Sequence, residues 1–176
     1  MNTQTDGRDT RWAEHRRERR IELVESTLRA IRRQGATVSL DDIAAEAGTS
    51  KPVIYRHFGD RPGLYRAVVE KTAQFILDDL HASVSWTGDD LPGLVRDLAS
   101  GYLALVQRDP EIYRFVMSRP LVDGDLTDDP VTGLTMRIGE RMADILRSRG
   151  YDADLADTWG HALVGAVRAA TDQWIG

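Results

Sequence analysis

Leu40-Asp41-Asp42-Ile43-Ala44-Ala45-Glu46-Ala47-Gly48-Thr49-Ser50-Lys51-Pro52-Val53-Ile54-Tyr55-Arg56-His57-Phe58 is the stretch that decides the fold. Ser39 just ahead of it and Asp42 three residues on form a Ser-x-x-Asp capping pattern, which predicts a short helix turning Leu40, Ile43, Ala44 and Ala47 inward. Gly48 ends that helix. Ser50 can cap a second one, with Pro52 in its first turn, where an absent amide proton has no intrahelical acceptor to lose. Ile54 and Phe58, four residues apart, share its buried face. Two short helices joined by a three-residue, glycine-containing turn outline a helix-turn-helix, whose second helix can enter the DNA major groove.

Many helical hairpins share that spacing, so side-chain chemistry has to discriminate. The second helix is too short to be justified by burial, yet it gathers Lys51, Tyr55, Arg56 and His57 near a helix N-terminus, with Arg61 just beyond. Cations, a hydroxyl and outward backbone amides are the donors that phosphate oxygens accept. A solvated basic face is the plain alternative, and spacing and charge alone leave both open.

Upstream, Ile21, Val24, Leu28 and Ile31 recur at helical spacing and predict a first helix over about residues 11–33, stopped at Gly35, behind a mobile arm over about residues 1–10. Its basic run Arg16-Arg17-Glu18-Arg19-Arg20 reads equally as an arm reaching DNA or as a solvated face stitched to Glu14, Glu18 and Glu22. Downstream, Gly59 and Asp60 start a fourth helix with Leu64, Val68, Val69, Thr72, Ile76 and Leu80 along a stripe ending near Ser85. A fifth follows from Leu91 to about Leu105, and a shorter segment from about Pro110 to Met117. Two prolines, one glycine and four aspartates make residues 119–130 a loop. Helical spacing resumes from Leu134 to Ile145, stops at Gly150, and resumes from Leu155 to Trp174. Nothing alternates with period two, so the chain is predicted all-α, with about eight helices and no internal repeat.

Composition bounds the rest. The 176 residues, 41% apolar, suffice for a sizeable core, and the formal charge is -5. Residues 1–65 carry 12 basic and 10 acidic side chains, the remainder 11 and 18, so an anionic partner prefers the front third. The absence of cysteine excludes disulfides, thiolate nucleophiles and cysteine-ligated zinc. No run approaches the ~18 apolar residues of a membrane span, and no apolar signal core follows Met1, which predicts a soluble, cytoplasmic protein with no membrane partner. His15, His57, His81 and His161 lack paired-ligand spacing, and neither a phosphate loop nor a Gly-x-Ser-x-Gly elbow occurs, so neither an enzyme nor a cofactor is expected. Asp123, Asp125, Asp128 and Asp129 lack the sixth-place glycine and twelfth-place glutamate of an EF-hand, so no metal is expected there.

The run from Ile43 to Arg61, with its Ala-x-x-Gly turn, its Tyr-x-His-Phe at Tyr55 to Phe58, the basic Arg61 three residues on, and the following Leu64-Tyr65, resembles the DNA-binding signature of the TetR family of bacterial regulators. The resemblance covers about residues 21–69 and extends to the remainder only in helix layout. It implies a three-helix DNA-binding head over residues 1–65 and a helical effector-binding and dimerisation domain over residues 66–176. It further implies that Lys51, Pro52 and Val53 approach base edges, that Tyr55 and His57 meet phosphate, that Arg61 replaces a usual lysine, and that Ser39, Leu40 and Ser50 stand at helix starts facing the DNA backbone; Arg56 completes the set. Thr49 and Pro62 depart from the family pattern.

The resemblance also implies a double-stranded operator read as a palindrome by a homodimer, with heads about 34 to 36 Å apart. The last helix, with Ala156, Gly160, Gly165, Ala166 and Ala169 among Trp159 and Leu163, is the expected dimer surface. Relatives normally carry one further helix after the position of Gly176, which implies an abbreviated interface or a shortened chain. A small apolar or aromatic effector would be lined by Phe75, Trp86, Tyr102, Tyr113, Phe115, Met117, Met136 and Trp159, residues that serve equally as ordinary core. The reading is a ligand-responsive transcriptional repressor; its rival is a helical protein-interaction or small-molecule carrier module that binds no operator.

Overall fold

A computed structural model describes residues 6–83, 91–122 and 129–175. Among them run eight helices and no strand: α1 Asp6–Gln34, α2 Leu40–Glu46, α3 Lys51–Phe58, α4 Arg61–Ser83, α5 Leu91–Arg108, α6 Pro110–Ser118, α7 Pro130–Ser148 and α8 Ala153–Ile175. They form two compact units, Met1–Val68 with Glu111–Asp125, and Val69–Pro110 with Leu126–Gly176. None of these helices is long and apolar enough to cross a membrane.

In the first unit, α1 buries Leu23, Val24, Thr27, Leu28, Ala30 and Ile31, whereas Ile21, expected on that face, is 45% exposed. The inward stripe starts at Leu23, two residues later than the apolar spacing implied. Buried Thr27 satisfies its hydroxyl by donating to Leu23 O at 2.8 Å, an interaction internal to the helix. The helix begins at Asp6 rather than near Arg11, because residues 6–20 contain no proline to stop it. At its other end Gly35 takes φ +95° and donates its amide to Ile31 O at 2.8 Å. That left-handed cap is open to glycine at little cost.

The expected capping box is present on α2: Asp42 N–H donates to Ser39 Oγ, and the Asp42 carboxylate accepts from Ser39 N–H. Glu46 ties α2 to α1 by pairing with Arg29 at 3.3 Å and Arg33 at 2.9 Å.

In the structure α6 completes the core of the head. Tyr65 and Phe115 are both fully buried, with ring centroids 6.0 Å apart. Tyr65 OH donates to Val116 O at 2.6 Å. Glu111 on α6 accepts the Ala36 amide at 2.9 Å, just past the end of α1, and pairs with Arg114. Ile112, Val116 and Leu121 are buried with them. The unit boundary falls after Val68, inside α4.

The second unit centres on α7 and α8, an antiparallel pair. Leu134 and Ile138 pack with Val164 and with Ala73 and Ile76 of α4, and Met142, Ile145 and Leu146 pack with Ala156. The helices approach closely because Gly139 faces His161 and Gly160 faces Ala143; a Cβ on Gly160 would lie 2.6 Å from Gly139 O. Asp129 caps α7 by accepting from Val131 N–H at 3.1 Å, and Asp152 caps α8 by accepting from Asp154 N–H at 3.1 Å.

Candidate DNA-recognition site

The turn between α2 and α3 is closed by backbone bonds, Gly48 N–H to Ala45 O at 3.1 Å and Thr49 N–H to Ala44 O at 2.9 Å, with Gly48 at φ +58°. Ser50 is the N-cap residue of α3 by backbone geometry, but its side chain makes no capping bond; Pro52 in the first turn fixes the entry instead. Ile54 and Phe58 are buried against α1 and α2, 1% and 8% exposed. The remaining perimeter of α3 faces outward: Ser50, Pro52, Tyr55 and Arg56 are exposed, and Lys51, Val53 and His57 half-buried. The structure therefore brings Lys51, Pro52, Val53, Tyr55, Arg56 and His57 onto one eight-residue helix, with Arg61 exposed at the start of α4.

Charge placement on this surface is informative. Lys51 Nζ lies 2.8 Å from Asp41 Oδ2, with the two side chains 42% and 75% exposed. Such a pair is worth about 0–1 kcal/mol, so a stronger anionic partner can displace it at little cost. Arg56 and His57 occupy the last turn of α3, where positive charge suits the helix dipole. Arg61 has no such justification: it stands in the first turn of α4, which contains no acid, and a cation there opposes the dipole. His57 is held below its ordinary pKa of 6.5 first by burial and then by the charges of Arg56, Arg19 and Arg20. At neutral pH its imidazole is the uncharged form.

Two expectations change here. Leu40 is 5% exposed, with its side chain in the core because it opens the inward stripe of α2. The Ser39 hydroxyl is engaged by Asp42, donating at 2.5 Å, so it acts first as a helix cap. Arg20, absent from the expected set, is the side chain that fixes the far end of α3: Nη1 donates to His57 O at 2.6 Å and the guanidinium stacks 4.4 Å from the centroid of the Phe58 ring. The signal was available, since Arg20 falls three and seven residues before Leu23 and Thr27 on the inward stripe.

The corner between α3 and α4 is also tight. Gly59 takes φ +82° and donates to Tyr55 O at 2.7 Å. Asp60 Oδ1 accepts from Gly63 N–H at 2.6 Å, and a Cβ on Gly63 would lie 2.0 Å from Phe58 O. Pro62, within this first turn of α4, offers no amide to satisfy.

The expected effector residues do not gather in one unit. Tyr113, Phe115 and Met117 lie on α6, in the unit of the head, and Phe115 is wholly buried beside Tyr65. Phe75, Tyr102, Met136 and Trp159 belong to the second unit; Phe75, Met136 and Trp159 are 40%, 49% and 53% exposed. The ammonium of Lys71 lies 4.9 Å from the centroid of the Phe75 ring. Trp86 lies outside the described residues, as do Asp123, Asp125 and Asp128, while Asp129 caps α7. On the described part of α8, Ala156 and Gly160 are used against α7, which removes them from the expected dimer surface and leaves Gly165, Ala166 and Ala169 outward with Trp159.

A helix-turn-helix presented on a small helical head, followed by a separate helical unit, defines a DNA-binding regulator of transcription. Comparison with known proteins agrees. Residues 23–68 match the family model described as bacterial regulatory proteins, tetR family, and residues 90–176 match the tetracyclin repressor-like C-terminal domain. Two HTH-type transcriptional regulators of Mycobacterium tuberculosis, from strains CDC 1551 and H37Rv, are each 38% identical over 181 residues, covering 99% of this chain and 75% of their own length. The HTH-type transcriptional activator FasR of Mycolicibacterium smegmatis is 25% identical over 137 residues, covering 77% of this chain and 62% of its own. The chain belongs to the TetR family, whose members are DNA-binding regulators of transcription rather than enzymes.

Proposed function

We propose that the chain represses transcription by occupying a palindromic operator as a homodimer, with α3 in the major groove, and that a small effector releases it. The observation that carries the reading is the outward face of α3, where Lys51, Pro52, Val53, Tyr55 and Arg56 surround no core of their own while Ile54 and Phe58 anchor the helix. On it, Lys51 donates to guanine O6 and N7, Val53 meets a thymine methyl, and Tyr55, His57 and Arg61 bind phosphate, with Ser39 and Ser50 at the flanks. Arg61 at a helix start whose first turn holds no acid supports this assignment.

Dimerisation is assigned to the outward face of α8. Leu155 and Trp159 are 55% and 53% exposed, and with Ala162, Ala166 and Ala169 they recur at spacings of four, three, four and three, which is the seam of two packed helices. An apolar or aromatic effector belongs to the second unit, near Tyr102 and its neighbours, and acts through a coupling free energy of about 1–3 kcal/mol on the spacing of the heads. Working on chromosomal DNA, the protein acts in the cytoplasm. Activation is the second reading, favoured by the description of the Mycolicibacterium smegmatis relative as an activator.

Footprinting of the purified full chain on the DNA upstream of its own gene tests the proposal, together with a reporter driven by that DNA. A protected two-fold sequence and reporter output that rises when the gene is deleted support it. A protected site with output that falls replaces repression by activation. Absence of protection there and on sequences selected from random duplexes refutes operator binding.

A further inference from the structure

Resting on the DNA-binding reading above, we propose that the N-terminal extension of α1 is a second DNA-binding element, which lays Arg16 and Arg17 on the phosphate backbone beside the groove that α3 enters. The helix starts at Asp6, yet its first core side chain is Leu23. Every residue from Thr10 to Glu18 is exposed, so this part of the helix gains nothing from burial within the chain.

Its direction is nevertheless fixed. Arg20 is locked to the C-terminal end of α3 through His57 O at 2.6 Å and the Phe58 ring, and α1 continues from that lock outward. At about 1.5 Å per residue, Arg16 lies about 6 Å and Trp12 about 12 Å beyond Arg20. Trp12, Arg16, Arg19, Arg20, Leu23 and Thr27 recur at three- and four-residue steps, so the arm presents to its surroundings the same face that, further along, packs onto the head. Arg16, four residues before Arg20, stands on that line, and Arg17 flanks it.

Three of the acids in this part of α1 share one side. Glu14, Glu18 and Glu22 follow one another at intervals of four on the far side from Arg16 and Arg20, where Glu22 pairs with Arg19 at 2.8 Å and Glu18 with His15 at 3.9 Å. Among the described residues Arg16 and Arg17 have no carboxylate partner. Arg16 and Arg17 are therefore exposed next to the lock on α3, with charges that no described carboxylate of the chain engages. Duplex DNA, whose charge is negative along its length, is the occupant that fits a cationic rod extending from the end of a recognition helix.

The test measures binding of the full chain to a mixed-sequence duplex by fluorescence anisotropy over a range of salt. Each lost phosphate contact lowers the log–log salt slope by about 0.9, so R16Q/R17Q is expected to flatten it by about 1.8 per bound chain and to weaken binding at 0.1 M salt by about ten- to sixty-fold. R16K/R17K, which keeps both charges, is expected to hold the wild-type slope, and circular dichroism checks that helix content is unchanged in both. If R61Q flattens the slope while R16Q/R17Q matches wild type, the arm is a solvated face and the proposal is overturned with the DNA-binding reading of the head intact. If the wild-type chain binds no duplex, the DNA-binding reading fails and takes the arm with it; if it binds and neither variant differs from it, the arm proposal is overturned together with the phosphate role of Arg61. Loss of slope in R16K/R17K equal to that in R16Q/R17Q would also overturn it, since charge would then not be the cause.

Discussion

Substituting Gly63 by alanine puts the corner that sets the recognition helix under direct test. A Cβ there would lie 2.0 Å from the carbonyl oxygen of Phe58 and 3.0 Å from Asp60 Oδ1. Side-chain carbons essentially never approach closer than 3.0 Å, so the last turn of α3 and the first turn of α4 must part by about 1 Å. The obstructing atom belongs to the backbone, and no rotamer change relieves it. Overpacking of this kind costs about 1–3 kcal/mol, occasionally more, against about 0.4–1 kcal/mol returned by the less flexible unfolded chain. A net loss of about 2 kcal/mol lowers the midpoint of a unit this size by roughly 8 to 16 °C. Thermal melts followed by far-ultraviolet circular dichroism read the stability, and anisotropy on duplex DNA reads the displaced α3. Gly101→Ala is the matched control, because a Cβ there meets nothing within 4 Å on the exposed side of α5, and it is expected to stabilise by about 0.5–1 kcal/mol. Equal behaviour of the two variants would refute the close α3–α4 contact.

Tyr65→Phe removes the donor to Val116 O from a fully buried site and leaves that carbonyl unpaired; urea denaturation is expected to show a loss of about 1–3 kcal/mol, and no loss would detach α6 from the head core. His57, depressed chiefly by burial and then by three arginines, is neutral in the folded head while the unfolded chain takes up its proton near pH 6.5. Stability should therefore fall as the pH drops below about 6.5 toward the lower folded value, and His57→Gln should remove that component of the pH profile. If His57 also touches phosphate, DNA affinity rises over the same interval in which stability falls, and a profile in which both fall together would exclude the contact.

The recognition unit was legible because its determinants are local. The cap at Ser39 and Asp42, the turn at Gly48, Pro52 in the first turn of α3 and the stop at Gly59 each act within four residues, and the helices stand where those signals put them. Partnerships over long separations were not legible. The apolar face of α6 was visible in outline, but periodicity shows that a face exists and not which face it meets. The Tyr65–Val116 bond, 51 residues apart, decides that it joins the head. Ala156 and Gly160 illustrate the same limit: small residues permit close approach without saying whether the neighbour is α7 of the same chain or α8 of another. Ile21 is apolar yet exposed, while polar Thr27 is buried with its hydroxyl bonded along its own helix. Arg20, a cation on the inward stripe, is the functional residue that an apolar template passes over.

The central claim, that the outward face of α3 reads base edges, is tested most directly by comparing Lys51→Ala with Arg61→Ala on a selected operator and on mixed-sequence duplex. Lys51→Ala is expected to cost about 1–3 kcal/mol on the operator, little on mixed sequence, and to relax base preference at one position; Arg61→Ala is expected to weaken both alike and to lower the salt slope by about one. Equal losses on both duplexes for Lys51→Ala would contradict the account.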